Sequence, residues 1–289
     1  MESVTVSEQD MSISVVDKRK QLTKPIQYVC TALNALSAIE GILLSAYSYT
    51  FDSTFYDLTA WEAARGLVEN VTINMQKPDS VINVIEGICG SVFGLFRVNT
   101  SGLFTFRVVD TADSITDMIP AGDILGEHSV SYNPTEVVSS VRVGYGRDWA
   151  TTGNQYTYYE DTSREASVFT QYKTYQQREF NTWLPTLSAA TAFGTRVLSY
   201  VDTVRGAESI TVPLEYYAVN IGDQVGVITQ RGGQSMLGER KAEVVSIEYA
   251  LDTPTMRLGI RHGGEIEALR TTEVGAVRIT ESGAARMVE

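Results

Sequence analysis

Carboxylate side chains that lie close together in the sequence are the first candidates for chemistry in this chain. Asp52 and Asp57 lie in an aromatic stretch, and Glu160 and Asp161 are adjacent. Two nearby carboxyl groups can cleave a glycosidic bond, one as acid and the other as base or nucleophile. Adjacent residues of a strand point to opposite faces, and acidic residues among aromatic ones are more typical of a half-buried loop. We therefore expect no catalytic residue. The alternative is that these four carboxylates catalyse glycoside hydrolysis. The aromatic stretch contains Tyr47, Tyr49, Phe51, Phe55, Tyr56 and Trp61.

Other motifs for catalysis or cofactor binding are missing from the sequence. It has no Gly-x-Ser-x-Gly nucleophile elbow, no Walker loop and no dinucleotide fingerprint. Gly144-Tyr145-Gly146 is typical of a turn at the end of a strand. His128 and His262 lack the neighbouring Cys, His or Asp that metal sites use. We therefore expect a protein that is not an enzyme and that holds neither cofactor nor metal.

The two cysteines, Cys30 and Cys89, both occur in apolar segments with helix-like spacing. Cysteine commonly behaves as a small buried hydrophobic residue, and we expect this of both. The sequence leaves open whether they form a disulfide.

The charge of the chain limits its kinds of partner. Its formal net charge is -12, and the only basic run is Lys18-Arg19-Lys20, which is typical of a solvated strand end or loop. A protein that binds the phosphate backbone needs a basic face, so we expect no specific nucleic-acid binding. An acidic surface repels DNA and suits the wall of a DNA conduit, although acidity also simply keeps a protein soluble.

Membrane insertion is not expected. No apolar segment reaches about 18 residues, the length that a spanning helix needs. The N-terminal residues also lack the apolar core of a secretory signal.

The first part of the chain is predicted to contain strands and then helices. Alternating apolar residues in 1–17 predict one or two strands. Thr23, followed by Pro25, predicts the start of a helix that ends at Gly41. The capping-box spacing of Thr59-Ala60-Trp61-Glu62 predicts the start of a second helix.

A third helix and a hairpin follow. Pro78-Asp79-Ser80 indicates the start of the helix, and Gly90 indicates its end. Apolar residues then recur at every second position. Residues 93–109, with a turn at Thr100-Ser101-Gly102, therefore predict a β-hairpin. The residues expected on the buried face of the helix are Val81, Ile85 and Ile88.

Strands dominate the remainder. Residues 151–182 are rich in Tyr, Thr and Gln and predict long strands or an extended hairpin. Pro185-Thr186 predicts the start of a further helix. Alternation predicts further strands at 137–145, 209–214, 224–229, 242–250, 255–260 and 273–281.

Tyrosine is concentrated between residues 145 and 217. Tyrosine is enriched at protein interfaces because it covers a large area and keeps a polar group, but strands also favour it. Both explanations stay open. The residues predicted to form part of an interface are Tyr156, Tyr158, Tyr172 and Tyr175.

This order of elements predicts an α+β fold. A helix-containing N-terminal module is followed by a β-barrel-like or sandwich module with one inserted helix. We expect an α+β module with the hairpin at 1–110, the β-rich module at 111–262 and a C-terminal extension at 263–289.

Four segments, taken in order along the chain, form one pattern. They are Lys24-Pro25-Ile26 and the residues after it, the helix and hairpin of 78–106, the stretch 119–145, and the strands of 221–258. Together they resemble the hub and tip proteins of contractile and long non-contractile phage tails, and the resemblance covers roughly residues 23–262.

The resemblance implies a symmetric ring, commonly trimeric, that closes the tail tube and connects it to baseplate, fibre or spike proteins. The implied partners are these other tail proteins, and the ring would encircle the path of the DNA. The implied location is the virion, after synthesis in the host cytoplasm. The resemblance implies no catalytic residue.

Two other classes of function compete with this one. A tail-associated, glycosidase-like enzyme that degrades cell wall needs titratable groups that converge in one pocket. A carbohydrate-binding module needs exposed aromatic residues along a groove and works as a monomer.

Overall fold

The chain combines helices and strands in two compact units, and the predicted α+β class is confirmed. The first unit contains Met1–Val109, Arg142–Glu160 and Glu179–Thr195, and the second contains Asp110–Val141, Asp161–Arg178 and Arg196–Glu289. The computed structural model describes residues 3–6, 11–14, 18–99, 101–109, 115–126, 130–132, 136–150, 155–203, 205–228, 240–250, 253–262, 277–279 and 285–287.

The elements are numbered in chain order. Up to residue 109 they are β1 (Ser3–Val6), β2 (Met11–Ser14), β3 (Pro25–Ile26), β4 (Val29–Asn34), α1 (Ala35–Tyr47), α2 (Leu58–Arg65), β5 (Asn70–Asn74), β6 (Asp79–Ser80), α3 (Val81–Val92), β7 (Gly94–Val98) and β8 (Phe104–Val108). From there they are β9 (Asp117–Ile119), β10 (Val130–Tyr132), β11 (Ser140–Asp148), β12 (Gln155–Asp161), α4 (Glu165–Tyr172), β13 (Gln177–Asn181), α5 (Leu187–Val201), β14 (Gly206–Pro213), β15 (Gln224–Val227), β16 (Arg240–Ala250), β17 (Thr255–His262), β18 (Val277–Ile279) and β19 (Ala285–Met287).

The two units are discontinuous in sequence, whereas the predicted modules 1–110, 111–262 and 263–289 are consecutive. Residues 142–160 and 179–195 belong to the same unit as 1–109. The three consecutive modules stay a proposal, and most of 263–289 lies outside the described residues.

The segment after Pro25 is a strand, and the helix predicted there is wrong. β4 pairs antiparallel with β5 through Val29↔Asn74 and Leu33↔Val71. Val29 and Thr31 are β-branched and fit a strand better than a helix. Pairing with β5 therefore outweighs the helix-like spacing of the apolar residues.

Helix α1 begins about twelve residues later than Thr23, the predicted start. The side chain of Asn34 caps it by accepting a hydrogen bond from the amide of Leu36 at 3.1 Å. Gly41, the predicted end, lies inside the helix. Its missing side chain leaves room for Tyr28, because a Cβ at Gly41 would lie 2.6 Å from the Tyr28 hydroxyl.

The second helix is present, but a different residue caps it. α2 begins at Leu58, and Oδ1 of Asp57 accepts a hydrogen bond from the amide of Ala60 at 3.2 Å. The predicted cap, Thr59, lies within the first turn. Asp and Thr are both frequent N-cap residues, so residue type alone does not decide which of Asp57 and Thr59 caps α2.

Helix α3 and the hairpin β7–β8 are confirmed. Oγ of Ser80 accepts from the amide of Asn83 at 3.4 Å at the start of α3. The hairpin pairs Phe96 with Phe106. The predicted inward residues of α3, Val81, Ile85 and Ile88, are fully buried.

The second unit is built on a six-stranded sheet in the order β10-β14-β17-β16-β15-β9. All neighbours are antiparallel except β15 and β9, which are parallel. Within the described residues the end strands β10 and β9 do not pair with each other, so the sheet is open and does not close into a barrel. The strands predicted at 209–214, 224–229, 242–250 and 255–260 are confirmed as β14 to β17.

A β-bulge keeps the core face of this sheet apolar. The register between β16 and β17 shifts between Val244 and Ser246, which leaves Val245 exposed. Ile247 then returns to the core side and packs against it. The buried side chains of this core include Ile210, Val212, Val225, Val227, Val244, Met256, Leu258 and Ile260.

The sequence predicts long strands or an extended hairpin over residues 151–182, and this prediction is wrong for their middle. β12 and β13 flank a helix, α4. The helix lacks the usual local signals, because its N-cap residue Arg164 makes no side-chain capping bond and Val168 is its one buried residue. The helix predicted after Pro185 is confirmed as α5.

Among the described residues, no helix has both the length and the apolar character that crossing a bilayer requires.

Candidate protein interface

Tyr156 and Tyr158 lie on β12, which pairs with β11 in a three-stranded sheet in the order β12-β11-β13. Their ring centroids are 6.3 Å apart. Tyr158 is 36% exposed, and Tyr156 is half-buried. Burial raises the pKa of the Tyr156 hydroxyl.

Gly144 gives Tyr156 its place on the sheet. A Cβ at Gly144 would lie 3.1 Å from both Cβ and Cγ of Tyr156 and 2.6 Å from Oδ1 of Asn181. The turn predicted at 144–146 is wrong, because β11 continues to Asp148. The glycine therefore serves the packing of neighbouring side chains within a strand and does not end the strand.

Arg142 holds Tyr158 in a charged surface network. Its guanidinium lies over the Tyr158 ring at 3.9 Å from the centroid. Arg142 also faces Glu160 at 3.5 Å and Glu179 at 3.4 Å, and the Tyr158 hydroxyl donates to Glu179 at 3.3 Å. Exposed ion pairs contribute little to stability. The network therefore acts mainly by ordering the ring of Tyr158 at the surface.

Tyr172 and Tyr175 lie in the second unit, on and just after α4. Tyr172 packs against the small core of Val137 and Val168, so it has a structural role. Tyr175 is 64% exposed and stacks on Phe169, with ring centroids 4.5 Å apart and planes within 15°. Phe169 is itself 39% exposed. An ordered, exposed pair of aromatic rings is typical of a contact surface.

The predicted tyrosines thus form two groups, one in each unit. Within the first unit Tyr158 is the more exposed, and in the second unit Tyr175 is. Sequence reasoning missed Arg142 and Phe169. No local spacing rule signals the pair Phe169–Tyr175, because Tyr175 lies beyond the end of α4 at Tyr172.

The carboxylates of the aromatic stretch have local structural roles. Asp52 accepts hydrogen bonds from the side chain of Thr50 and from the amide of Thr54, the latter at 2.8 Å. The hydrogen bond from Thr50 is the largest cause of a lowered pKa of Asp52. Asp57 caps α2 and also accepts from Asn99 at 3.2 Å. Asp52 therefore organises a turn, and Asp57 starts a helix.

Two residues of the aromatic stretch, Tyr56 and Trp61, belong to the core, whereas Tyr47, Tyr49 and Phe55 are half-buried and Phe51 is 39% exposed. Trp61 is fully buried, with Tyr56 at 4.9 Å and Phe106 at 6.1 Å in edge-on arrangements. Its indole nitrogen donates to Glu40 at 2.5 Å. Phe51 is the one exposed ring of the stretch, so the stretch does not present the row of exposed rings that a sugar platform needs.

Glu160 and Asp161 behave as adjacent strand residues should. Glu160 is exposed and faces Arg142. Asp161 is buried and accepts from the amide of Ser163 at 3.0 Å. The two side chains occupy different environments and do not form a catalytic pair.

Of the two histidines, His262 is within the described residues and His128 is not. His262 lies beside Glu208, with Nε2 and Oε2 2.5 Å apart, and both side chains are buried. A search of the described residues found no group of three or more His, Cys, Asp or Glu that could hold a metal.

Both cysteines are free thiols, which answers the question that the sequence left open. Cys89 is buried in α3, as predicted, and burial raises its pKa to about 12. Cys30 lies in strand β4, not in a helix, and is half-buried. Burial also raises the pKa of Cys30.

No protein-family model matches the sequence, and no curated protein matches it. Solved structures do match. A tail protein from Neisseria meningitidis MC58 is similar with a TM-score of 0.55 at 12% identity, over 91% of this chain and 78% of that one. The 43 kDa tail protein of prophage MuSo2 from Shewanella oneidensis is similar with a TM-score of 0.50 at 12% identity, over 85% and 71%.

A chain in the virion of a native gene transfer agent particle is also similar, with a TM-score of 0.54 at 17% identity. The match covers 80% of this chain but 47% of that one, so this chain spans about half the length of the virion chain. At these identities the likeness concerns the fold. This chain shares its fold with these two tail proteins and with the virion chain.

Proposed function

We propose that this chain is a structural component of a phage tail or of a tail-like particle, placed in the virion. The observation that carries the proposal is the shared fold. The match with the tail protein from Neisseria meningitidis MC58 covers 91% of this chain. The same fold in a gene transfer agent virion supports it. Because one fold can serve several functions, the position of the chain in a particle is the decisive observation.

Labelling of purified particles tests this proposal. An antibody against the chain, coupled to gold, should decorate one end of the tail in electron micrographs. Peptides of the chain should also appear when purified particles are digested and analysed by mass spectrometry. Their absence from intact particles would contradict the proposal.

Within the tail, our proposal is a hub or tip ring, a homotrimer that closes the tube and joins it to baseplate, fibre or spike proteins. A closed ring of identical subunits needs two different contact surfaces on each subunit. The surface around Tyr158 and the pair Phe169–Tyr175 are separate candidates for these surfaces. Each has an exposed aromatic ring held in one position, which lowers the entropy lost on binding.

Native mass spectrometry with the neighbouring tail proteins present tests the ring. We expect trimers or multiples of three. Tyr158→Ala and Tyr175→Ala should each weaken the assembly, whereas Tyr217→Ala should not, although Tyr217 is comparably exposed at 60%. A chain that stays monomeric with all partners present contradicts the ring.

The proposal assigns no catalytic activity to the chain. Asp52 organises a turn, Asp57 caps α2, and Glu160 faces Arg142 at the surface. Purified protein should leave cell-wall substrate intact. If it degrades that substrate, and Asp52→Asn with Asp57→Asn abolishes the degradation, the alternative of a glycosidase-like tail enzyme replaces the proposal.

The net charge of the chain supports a ring that does not bind the DNA passing through it. A net charge of -12 favours a ring whose inner wall lets the duplex slide, because basic side chains would bind its phosphates. The assembly should therefore not bind DNA even at low salt, where electrostatic attraction is strongest. Tight, salt-sensitive binding would remove this part of the proposal.

A further inference from the structure

Residues 18–24 cross the surface of the first unit and touch several of its elements. Arg19 donates from Nη1 to the backbone oxygen of Phe96 on β7 at 2.9 Å. Lys24 donates from Nζ to the backbone oxygen of Ala46 in the last turn of α1 at 2.8 Å. The Tyr47 hydroxyl donates to the backbone oxygen of Gln21 at 2.9 Å. The segment is therefore bonded to both a helix end and the hairpin.

The same segment completes the start of α3. The amide of Val81 donates to the backbone oxygen of Lys24 at 3.0 Å, and the amide of Ile82 donates to that of Leu22 at 2.9 Å. The first amides of a helix have no partner within the helix. Residues 22–24 supply two of the missing acceptors, and the fully buried side chain of Leu22 anchors them.

Lys18 lies at the beginning of this segment in a cage of aromatic rings. Its Nζ is 4.3 Å from the ring centroid of Phe104 and 5.7 Å from those of Tyr49 and Phe55. The ammonium also donates to the backbone oxygen of Gly102 at 3.0 Å. An ammonium over a neutral aromatic ring is attracted by the partial negative charge on the ring face, and more strongly when the ammonium is partly desolvated.

We propose that residues 18–24 form a strap that closes the first unit, with Lys18 in its aromatic cage as the latch. The strap supports the start of α3, and the latch ties the beginning of the strap to the hairpin β7–β8 through Phe104 and Gly102. The prediction that Lys18-Arg19-Lys20 is a solvated run is therefore wrong for its first two members. Only Lys20 of the three is exposed. This inference does not depend on the proposed function.

Hydrogen–deuterium exchange of the full chain, read by mass spectrometry, tests the strap. Lys18→Met keeps the side-chain length but removes the charge. We expect it to accelerate exchange of the amides of Leu22, Lys24, Val81 and Ile82 by about 5- to 30-fold. Lys20→Met makes the same chemical change on the exposed neighbour and should change nothing. Exchange in β14 and β17 of the second unit serves as an internal reference.

Two results would overturn the strap as proposed. One is equal exchange of these amides in Lys18→Met and Lys20→Met. The other concerns the cage and uses Phe55→Leu, which removes one ring but keeps an apolar side chain. If Lys18 acts through the rings, the double variant Lys18→Met, Phe55→Leu should change the free energy of amide opening by less than the sum of the two single changes. Fully additive effects would show that Lys18 does not act through the cage.

Discussion

The indole ring of Trp183 lies directly against the backbone of Gly87 on helix α3. A Cβ at Gly87 would lie 2.6 Å from Cζ2 of Trp183 and closer still to Cη2. The backbone of Trp183 is also fixed, because its amide donates to Oγ of Ser91 and its oxygen accepts from the amide of Thr72, both at 2.9 Å. Trp183 therefore has little freedom to move away from a larger residue.

We predict that Gly87→Ala destabilises the protein despite the better helix propensity of alanine. The overpacking should cost about 1–3 kcal/mol, which thermal or urea unfolding would measure. Gly90→Ala is the matched control, since nothing lies within 4 Å of a Cβ at that position of the same helix. It should stabilise the protein by about 0.5–1 kcal/mol. Equal effects at the two positions would contradict the close approach of Trp183.

The buried face of α3 gives a second prediction. Ile85 is fully buried, and truncation of a buried Ile to Ala costs about 2–5 kcal/mol. Ile85→Ala should lower the unfolding midpoint, whereas Glu86→Ala at the neighbouring exposed position should leave it nearly unchanged. An unchanged midpoint for Ile85→Ala would mean that the wrong face of α3 has been assigned to the core.

The cap of α2 gives a third prediction. Asp57 accepts the capping hydrogen bond from Ala60, so Asp57→Ala should cost about 1 kcal/mol. Thr59→Ala tests the cap that the sequence pattern favours and should have little effect. A larger loss of stability for Thr59→Ala than for Asp57→Ala would show that Thr59 caps the helix, as the capping-box spacing predicts.

The two thiols give a fourth prediction. Only the thiolate reacts with disulfide reagents, and burial raises the pKa of both cysteines, to about 12 for Cys89. At mildly alkaline pH the native protein should react slowly at Cys30 and not at Cys89, and both should react after unfolding in urea. Native Cys30→Ser protein should then show almost no labelling. Fast labelling of that variant would contradict the burial of Cys89.

The sequence by itself determined those elements whose signals are local. Ser80 starts α3 because its side chain caps the helix, and the spacing of Val81, Ile85 and Ile88 defines the buried face. The hairpin β7–β8 and the strands β14 to β17 follow from alternation of apolar residues and from turn residues between them. The order of these segments also predicted the likeness to phage tail proteins, and the similar solved structures confirm that likeness at the level of the fold.

Only the tertiary structure decided the elements whose local signals were weak or ambiguous. Residues 29–34 have helix-like spacing but form a strand, because β5 offers hydrogen-bond partners that no local pattern reveals. Residues 165–172 form a helix without a capping side chain. From the sequence, Lys18 is predicted to be a solvated charge, but in the structure its ammonium lies over the rings of Tyr49 and Phe104. In each case the deciding contacts come from residues distant in sequence, and their free energy outweighs the small preferences of the local chain.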